Sequence, residues 1–468
     1  MVLSQSDILL AVWDGAPAKG VGGTAQIVEE AGTRDIPTVW IGSKPPHVTR
    51  LKVPEVSRES LAPNQQDDSG QALSRLGGYL KGILLPSEKS FAGRSYSELD
   101  KARAFFAEKP ASKWPGWIFT AYRFFWTGPK KGGEELQAEW NRFIQSRDDL
   151  DLRYKTFFHH RFQWADNLAK SYVGKYRDSF VSSYLLGAFA VLFAFFGVRA
   201  AHLAGPDPYE AHLAGVRWFV FELLAILVIL ITTLFGWRHR WHERWMDYRP
   251  LAESLRQMKF LDPLGRVPPS SKVPAHLAAG DPGRTWFNWY FRALVRHAGM
   301  IGGPPKDILV LNSSYLEGFR NVLREAIDGQ IEYHKNNYNT FHKLKRHSHF
   351  VGQGLFFVAA VGCALHLIHM PRLEFLELES VLGFVAIVLP GFGAALSAIL
   401  HQGEFERIAL RSETLERRLE ELKGELTQPL TPATSQALGR VAETFSDIMM
   451  SEMVDWRFAF LGKGLELP

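Results

Sequence analysis

The chain has 468 residues, the length of two or three domains, and a hydrophobic share of 46% that is ordinary for globular proteins. Lys and Arg number 54 against 49 Asp and Glu, and a net charge of +5 over this length is too thin to argue for nucleic acid. The apolar residues are gathered into four runs with almost no charge, which excludes a simple soluble enzyme. A single cysteine, Cys363, sits inside one of those runs, so an intrachain disulfide and a cysteine-based metal site are excluded too. No metal, cofactor or catalytic constellation is expected. Met1 to Gly15 lacks a basic n-region and carries Asp7 and Asp14, so it does not read as a secretory signal.

Residues 1–110 read as a small α/β unit with a linker. Asp7 to Trp13 has the pattern of a short apolar strand, DGAPAKGVGGT that of a glycine-rich loop, AQIVEEAG that of a helix, and IPTVWI (36–41) that of a second strand. Strand, loop, helix and strand make one βαβ unit of a Rossmann-like layer. Gly20, Gly22 and Gly23 would let backbone N–H groups close on a phosphate, with Thr24 opening the helix as cap or phosphate ligand. Asp14, Gly15 and Lys19 complete the candidate ligand set; Asp14 and Lys19 are its polar groups. The competing reading is a tight turn without a ligand. One unit of about 40 residues cannot bury a sheet on both faces. Further strands are therefore expected before Asp7 or from another chain, unless the unit is degenerate. Residues 44–110 give one more strand signal, GYLKGILL (78–85).

Residues 111–265 hold the first membrane hairpin. WPGWIFTAYRFFW (114–126), with seven aromatics and Arg123, reads either as a helix on the membrane surface or as core. An aromatic, basic helix, ADNLAKSYVGKYRDSF, leads into Phe180–Val198, which has no ionisable group. Trp218–Trp237 follows, interrupted only by Glu222, a carboxylate placed to reach water near the outer interface. Residues 266–310 are a Pro/Gly/Ser linker around TWFNWYFRALVRHAGM, another aromatic stretch open to both readings. Residues 311–430 repeat the plan: a lead-in helix, IEYHKNNYNTFHKLKRHSHF, then Phe350–Met370 and Val381–Leu400. At 1.5 Å per residue, runs of about 20 residues match a hydrocarbon core of roughly 30 Å. Pro390 is expected to kink the fourth span, and the glycines near it and in the third to pack helices closely.

Basic residues flank the spans on one side. Lys175 and Arg177 precede the first, Arg238, Arg240 and Arg244 follow the second, Lys343, Lys345 and Arg346 precede the third, and Arg407 and Arg411 follow the fourth. The short connections hold only Arg199, Arg217 and Arg372. The positive-inside rule then places both termini in the cytoplasm of a multi-pass protein of the inner membrane. After the fourth span, Phe405, Ile408, Ser412, Leu415, Leu419, Leu422 and Leu426 form a heptad seam, which packs within the chain or joins copies into a homo-oligomer. Residues 431–468 read as a C-terminal helix. The fold class is therefore mainly α, a polytopic membrane protein of two hairpins with a small N-terminal Rossmann-like unit.

AVWDGAPAKGVGGTAQIVEEA with IPTVWI resembles the SLOG superfamily, Rossmann-like domains related to the cytokinin-activating LOG enzymes. RWMDYRPLAESLRQMKFL and FERIALRSETLERRLEEL, each following a hairpin, resemble the SLATT membrane modules that partner such sensors. The resemblance implies a bacterial conflict (antiphage) system in which a nucleotide-derived signal is sensed and the membrane is perforated or depolarised. It covers roughly 7–41 and 155–425. LOG enzymes carry a glutamate shortly after their glycine loop, whereas Ile27 stands here and Glu29 and Glu30 come later, which speaks against hydrolysis. The expected function is a non-enzymatic membrane effector with a nucleotide-type signal and the bilayer as partners. A membrane-tethered nucleotide-processing enzyme using Asp14, Thr24 and Glu29, or a structural membrane protein without ligand, are the alternatives.

Overall fold

Strand alternation and helix spacing are both met in the N-terminal unit. The structure is a computed structural model that describes residues 3, 6–17, 23–33, 36–45, 49–52, 69–86, 96–109, 114, 116–129, 138–145, 152–267, 285–299, 312–367, 378–427, 435–460 and 462–465. Strand β1 (Leu9–Trp13) pairs in parallel with β2 (Thr38–Gly42), with Leu9 opposite Thr38 and Trp13 opposite Gly42, and α1 (Thr24–Thr33) is the crossover. A third strand, β3 (Thr49–Lys52), runs antiparallel to β2 and carries no sequence signal of its own. Ala11, Val28 and Ala31 are buried where α1 covers the sheet, while Leu10 is 70% and Val12 64% exposed. A single crossover helix covers only one face of a sheet, so the other stays open. All of GYLKGILL but its last residue lies in a helix, α2 (Ser69–Leu84), and is not a strand. Leu76, Leu80, Ile83 and Leu84 recur at three and four residues, a helical period interrupted by glycines.

After α3 (Glu98–Phe106), α4 (Trp117–Thr127) and α5 (Ala138–Ile144), a π turn at Lys155–His159 runs into α6 (His160–Leu203). Each lead-in helix is continuous with its span, so α6 is 44 residues long and α10 (Ser313–Leu367) is 55. Asp207 turns the first hairpin by accepting from Tyr209 N at 2.9 Å, ahead of Pro208 in the first turn of α7 (Pro208–Arg238). The second hairpin returns through α11 (Leu378–Gly403), which runs unbroken through Pro390.

Both return helices end the same way. Arg240 (φ 53°) and Glu404 (φ 50°) are the non-glycine residues with positive φ among those described. Each is a single left-handed residue, at about 1–2 kcal/mol, that redirects the chain at once into a new helix. Those helices are α8 (Trp241–Leu261) and α12 (Phe405–Thr427). Long inward helix, hairpin, left-handed break and outward helix therefore occur twice.

Four helices are long and apolar enough to cross a membrane, α6, α7, α10 and α11, and they mark the chain as a membrane protein. Their principal contacts run in a row, α7–α6–α11–α10. Where α10 and α11 meet, a Cβ on Gly393 would lie 2.8 Å from the Phe356 ring and 3.2 Å from Gly352 O, so the glycines serve close packing.

Among the described residues, α4, α8, α9 (Trp286–Ala298), α12 and α13 (Ser435–Phe460) lie at one end of the spans, the end marked by Asp178 and Ser348. The heptad seam of α12 is buried from Phe405 to Leu426 within this chain, against α10 and α13. Each such leucine contributes roughly 2 kcal/mol by leaving water. α13 also covers α8, with Trp456 edge-on to Trp245 at 4.2 Å. The aromatic stretch after the linker, α9, is core: Trp286, Phe287, Phe291 and Leu294 are buried against α3 and α8.

Candidate functional site

The C-terminal end of β1 and the N-terminus of α1 face the loop where a βαβ layer receives phosphate. Trp13 ends β1; its indole donates to Ala16 O at 3.0 Å, and the Trp40 indole donates to Trp13 O at 2.8 Å. Asp14 Oδ1 accepts from Ala16 N at 3.0 Å, an Asx turn that opens the loop. Gly15 has φ +81°, and a Cβ there would lie 3.3 Å from the Trp40 ring, so glycine is required at this turn. At the far side, Gly23 O accepts from Ile27 N in the first turn of α1, and Thr24 is exposed at the helix start. The structure thus brings Asp14 and Gly15 to the same end of the layer as Gly23 and Thr24. Lys19, Gly20 and Gly22 lie outside the described residues.

Sequence reasoning missed Lys44, whose ammonium is 4.0 Å from Asp14 Oδ2. It lies two residues beyond the end of β2, and the turn after a parallel strand is where such layers present ligand contacts, which is the signal that would have found it. The first turn of α1 carries no acidic residue, so no carboxylate there opposes the positive end of the helix dipole that faces the loop. Glu29 and Glu30 are exposed on the helix, away from Val28 and Ala31.

This unit is tied to the helical body through α9. Asp7 Oδ1 accepts from the Arg296 guanidinium at 3.2 Å and lies 3.7 Å from Arg292. Arg296 and the Trp289 indole both donate to Ile83 O of α2 at 3.0 Å. At the start of α9, Trp286 N donates to Glu98 Oε2 at 2.8 Å and the Trp286 indole to Asp247 Oδ2 at 3.1 Å. Asp247 is in turn paired with Arg457 of α13 at 2.8 Å, both nearly buried. Burial alone would raise the Asp247 carboxyl, but Arg457 and Lys101, with hydrogen bonds from Arg457 and Trp286, hold it below the ordinary value.

Nearer the spans, Glu108 Oε1 accepts from Tyr172 Oη at 2.9 Å, Arg244 at 2.7 Å and Tyr248 Oη at 2.9 Å, joining α6 to α8. Desolvation, followed by the neighbouring Glu108 charge, pushes the Tyr248 hydroxyl far above its usual range. Residues 463–465 cross three of the spanning helices at the end nearer the helical body: Tyr176 Oη donates to Lys463 O, Gln402 Nε2 to Gly464 O at 2.9 Å, and the Trp237 indole to Leu465 O at 2.6 Å. The two modules also share a part-buried polar junction. Glu452 of α13 lies there among Arg249, Glu253 and Arg256 of α8, Tyr333 and His334 of α10, and Arg411 of α12. Its carboxyl is pushed up to about 7, first by burial and then by Glu253, against the pull of the three arginines.

Comparison with known proteins gives one match. A family model described as "Protein of unknown function (DUF4231)" matches residues 160–261. No curated protein and no solved structure matches. The matched stretch runs from the first residue of α6 to the last residue of α8, so this chain's similarity to that family lies in its first unit of inward helix, hairpin and outward helix.

Proposed function

We propose that the protein is a membrane effector whose N-terminal unit takes up a nucleotide-type anion and passes that event to the four spans, altering membrane integrity or ion permeability. The observation that carries this reading is the continuous join from the candidate loop to the membrane. Asp7 leads into β1 and is held by Arg292 and Arg296 of α9; α9 is bonded through Trp286 to Asp247 of α8; and α8 follows α7 across only His239 and Arg240. A signal is transmitted only if it binds one arrangement of the helices better than another, and a chain of hydrogen-bonded contacts, part-buried at Asp7 and buried at Trp286 and Asp247, is what makes two arrangements discrete.

The density of Lys and Arg at the body end supports an inner-membrane protein with both termini in the cytoplasm. The resemblance to SLOG sensors and SLATT modules, and the placement of Asp14, Gly15, Gly23, Thr24 and Lys44 at one end of the layer, support the ligand class and a role in antiphage conflict. Because the principal contacts of the spans form a row, a permeation path would be built from more than one copy, which supports a homo-oligomer. Full-length protein in vesicles loaded with a potassium-sensitive dye tests the reading against a panel of linear, cyclic and dinucleotide phosphates. One member is expected to accelerate ion release, and the double variant R292A/R296A to bind that member and release no ions. Ion flux indifferent to every nucleotide would overturn the proposal.

A further inference from the structure

Two aromatic segments of similar composition end in opposite environments. α9 turns its rings into the core, whereas α4 leaves Trp117 72%, Ile118 41%, Phe124 58% and Phe125 77% exposed. With Thr120 and Ala121, these residues form one exposed arc of α4 that carries no charge, and Arg123 is half-buried outside it. Phe119 and Tyr122 face inward.

The inward face fixes where α4 sits. Its start meets α6 backbone to backbone: a Cβ on Gly174 would lie 2.7 Å from Trp114 O, and one on Gly116 3.4 Å from Gly174 Cα. Gly116 provides no side-chain cap, and Asp178 of α6, buried, supplies it from outside. Asp178 Oδ1 accepts from Phe119 N and Oδ2 from the Trp114 indole, both at 2.9 Å. At the other end, Tyr122 Oη lies 3.1 Å from Ser348 Oγ of α10, and His347 Nδ1 lies 3.0 Å from Trp126 O. Asp178 is two residues before the first span at Phe180, and Ser348 two before the third at Phe350. α4 therefore crosses both inward helices at the level where each enters the apolar segment, a level at which Phe350 of the third span is itself 76% exposed.

We propose that α4 is a membrane-interface helix that lodges Trp117, Ile118, Phe124 and Phe125 at the headgroup–acyl boundary while strapping the two hairpins together. The inference rests on the membrane reading given above. Interfacial helices are recognised by an aromatic, uncharged face lying in the plane of the headgroups, and here the two anchoring contacts set both the depth and the facing of that arc. Lipid is the occupant because Asp178 and Ser348 hold the arc at the level where the first and third spans begin, and the spans' own apolar residues are exposed from there on.

Nitroxide labels on the full chain, reconstituted in phosphatidylcholine/phosphatidylglycerol vesicles, test this through accessibility to oxygen and to a water-soluble nickel chelate. In a Cys363→Ser background, Phe125→Cys and Phe124→Cys report α4, and Arg103→Cys, 71% exposed on α3, reports water. Native Cys363 reports the third span. The α4 labels are expected to favour oxygen over nickel by several-fold relative to Arg103→Cys, at a depth shallower than Cys363. Nickel access at Phe125→Cys equal to that at Arg103→Cys, with Cys363 still oxygen-rich, overturns the interface helix and leaves the membrane reading standing. Dipolar broadening at Phe125→Cys that dilution with unlabelled chain removes, without oxygen enrichment, assigns the arc to a second copy and equally overturns it. Nickel access at Cys363 overturns both.

Discussion

Replacing Asp247 by Ala is expected to lower stability by about 3–5 kcal/mol, the largest single-residue effect anticipated outside the spans. The Asp247 and Arg457 side chains are 8% and 5% exposed and meet at 2.8 Å. Arg457 keeps a hydrogen bond to Met246 O at 3.0 Å and stacks over Phe287, but neither partner neutralises it. Removing the carboxylate thus strands a guanidinium in the core, and it also takes the acceptor from the Trp286 indole. A buried ion pair is worth far less than the cost of breaking it, because desolvating both charges offsets much of their attraction. The double variant D247L/R457M should accordingly recover most of the loss. An exposed pair behaves otherwise: Glu406→Ala, which releases Lys345 where the side chains are 62% and 37% exposed, should change stability by less than about 1 kcal/mol. Urea unfolding in detergent micelles, followed by circular dichroism, ranks the variants. Equal losses for the single and double variants would show that packing, not the stranded charge, carries the effect.

How much of this was legible in the chain depends on the range of the interaction. The spans were readable because hydropathy over about 20 residues needs no knowledge of partners, and the βαβ unit because loop and strand chemistry is local. The heptad seam was readable as a seam, but whether a second copy or this chain would cover it was decided by α10 and α13. The segments that became α4 and α9 looked alike. Asp178 and Ser348 hold one at the mouth of the spans, and Glu98 and Asp247 draw the other inside, with each partner far away in sequence. GYLKGILL was misread because its glycines masked a period of three and four. Lys44 was missed because its meaning depends on where β2 ends. Neither Arg240 nor Glu404 is a residue type that announces a left-handed turn.

Glu452 provides the second large effect, and it is one of pH. In the unfolded chain its carboxyl titrates near 4.3, whereas in the folded protein burial and Glu253 push it up to about 7. Between those values the folded state holds a proton that the unfolded state has released. Stability therefore falls as pH rises through this window, by on the order of 3 kcal/mol in total, and the loss is complete above about 7. Asp447, raised to about 6 by burial and then by Glu443, tilts the parent curve the same way over a lower window, so the comparison that isolates Glu452 is between parent and Glu452→Gln. Glutamine retains the shape of the neutral acid and cannot ionise. The variant should match the parent at about pH 3, where both states of the parent are largely protonated, and should unfold several degrees higher at about pH 8. Parallel melting curves for the two proteins across this range would mean that the arginines, not burial, govern the carboxyl. Because Glu452 is packed among α8, α10 and α12, the cost of ionising it falls on the junction where the two membrane modules meet.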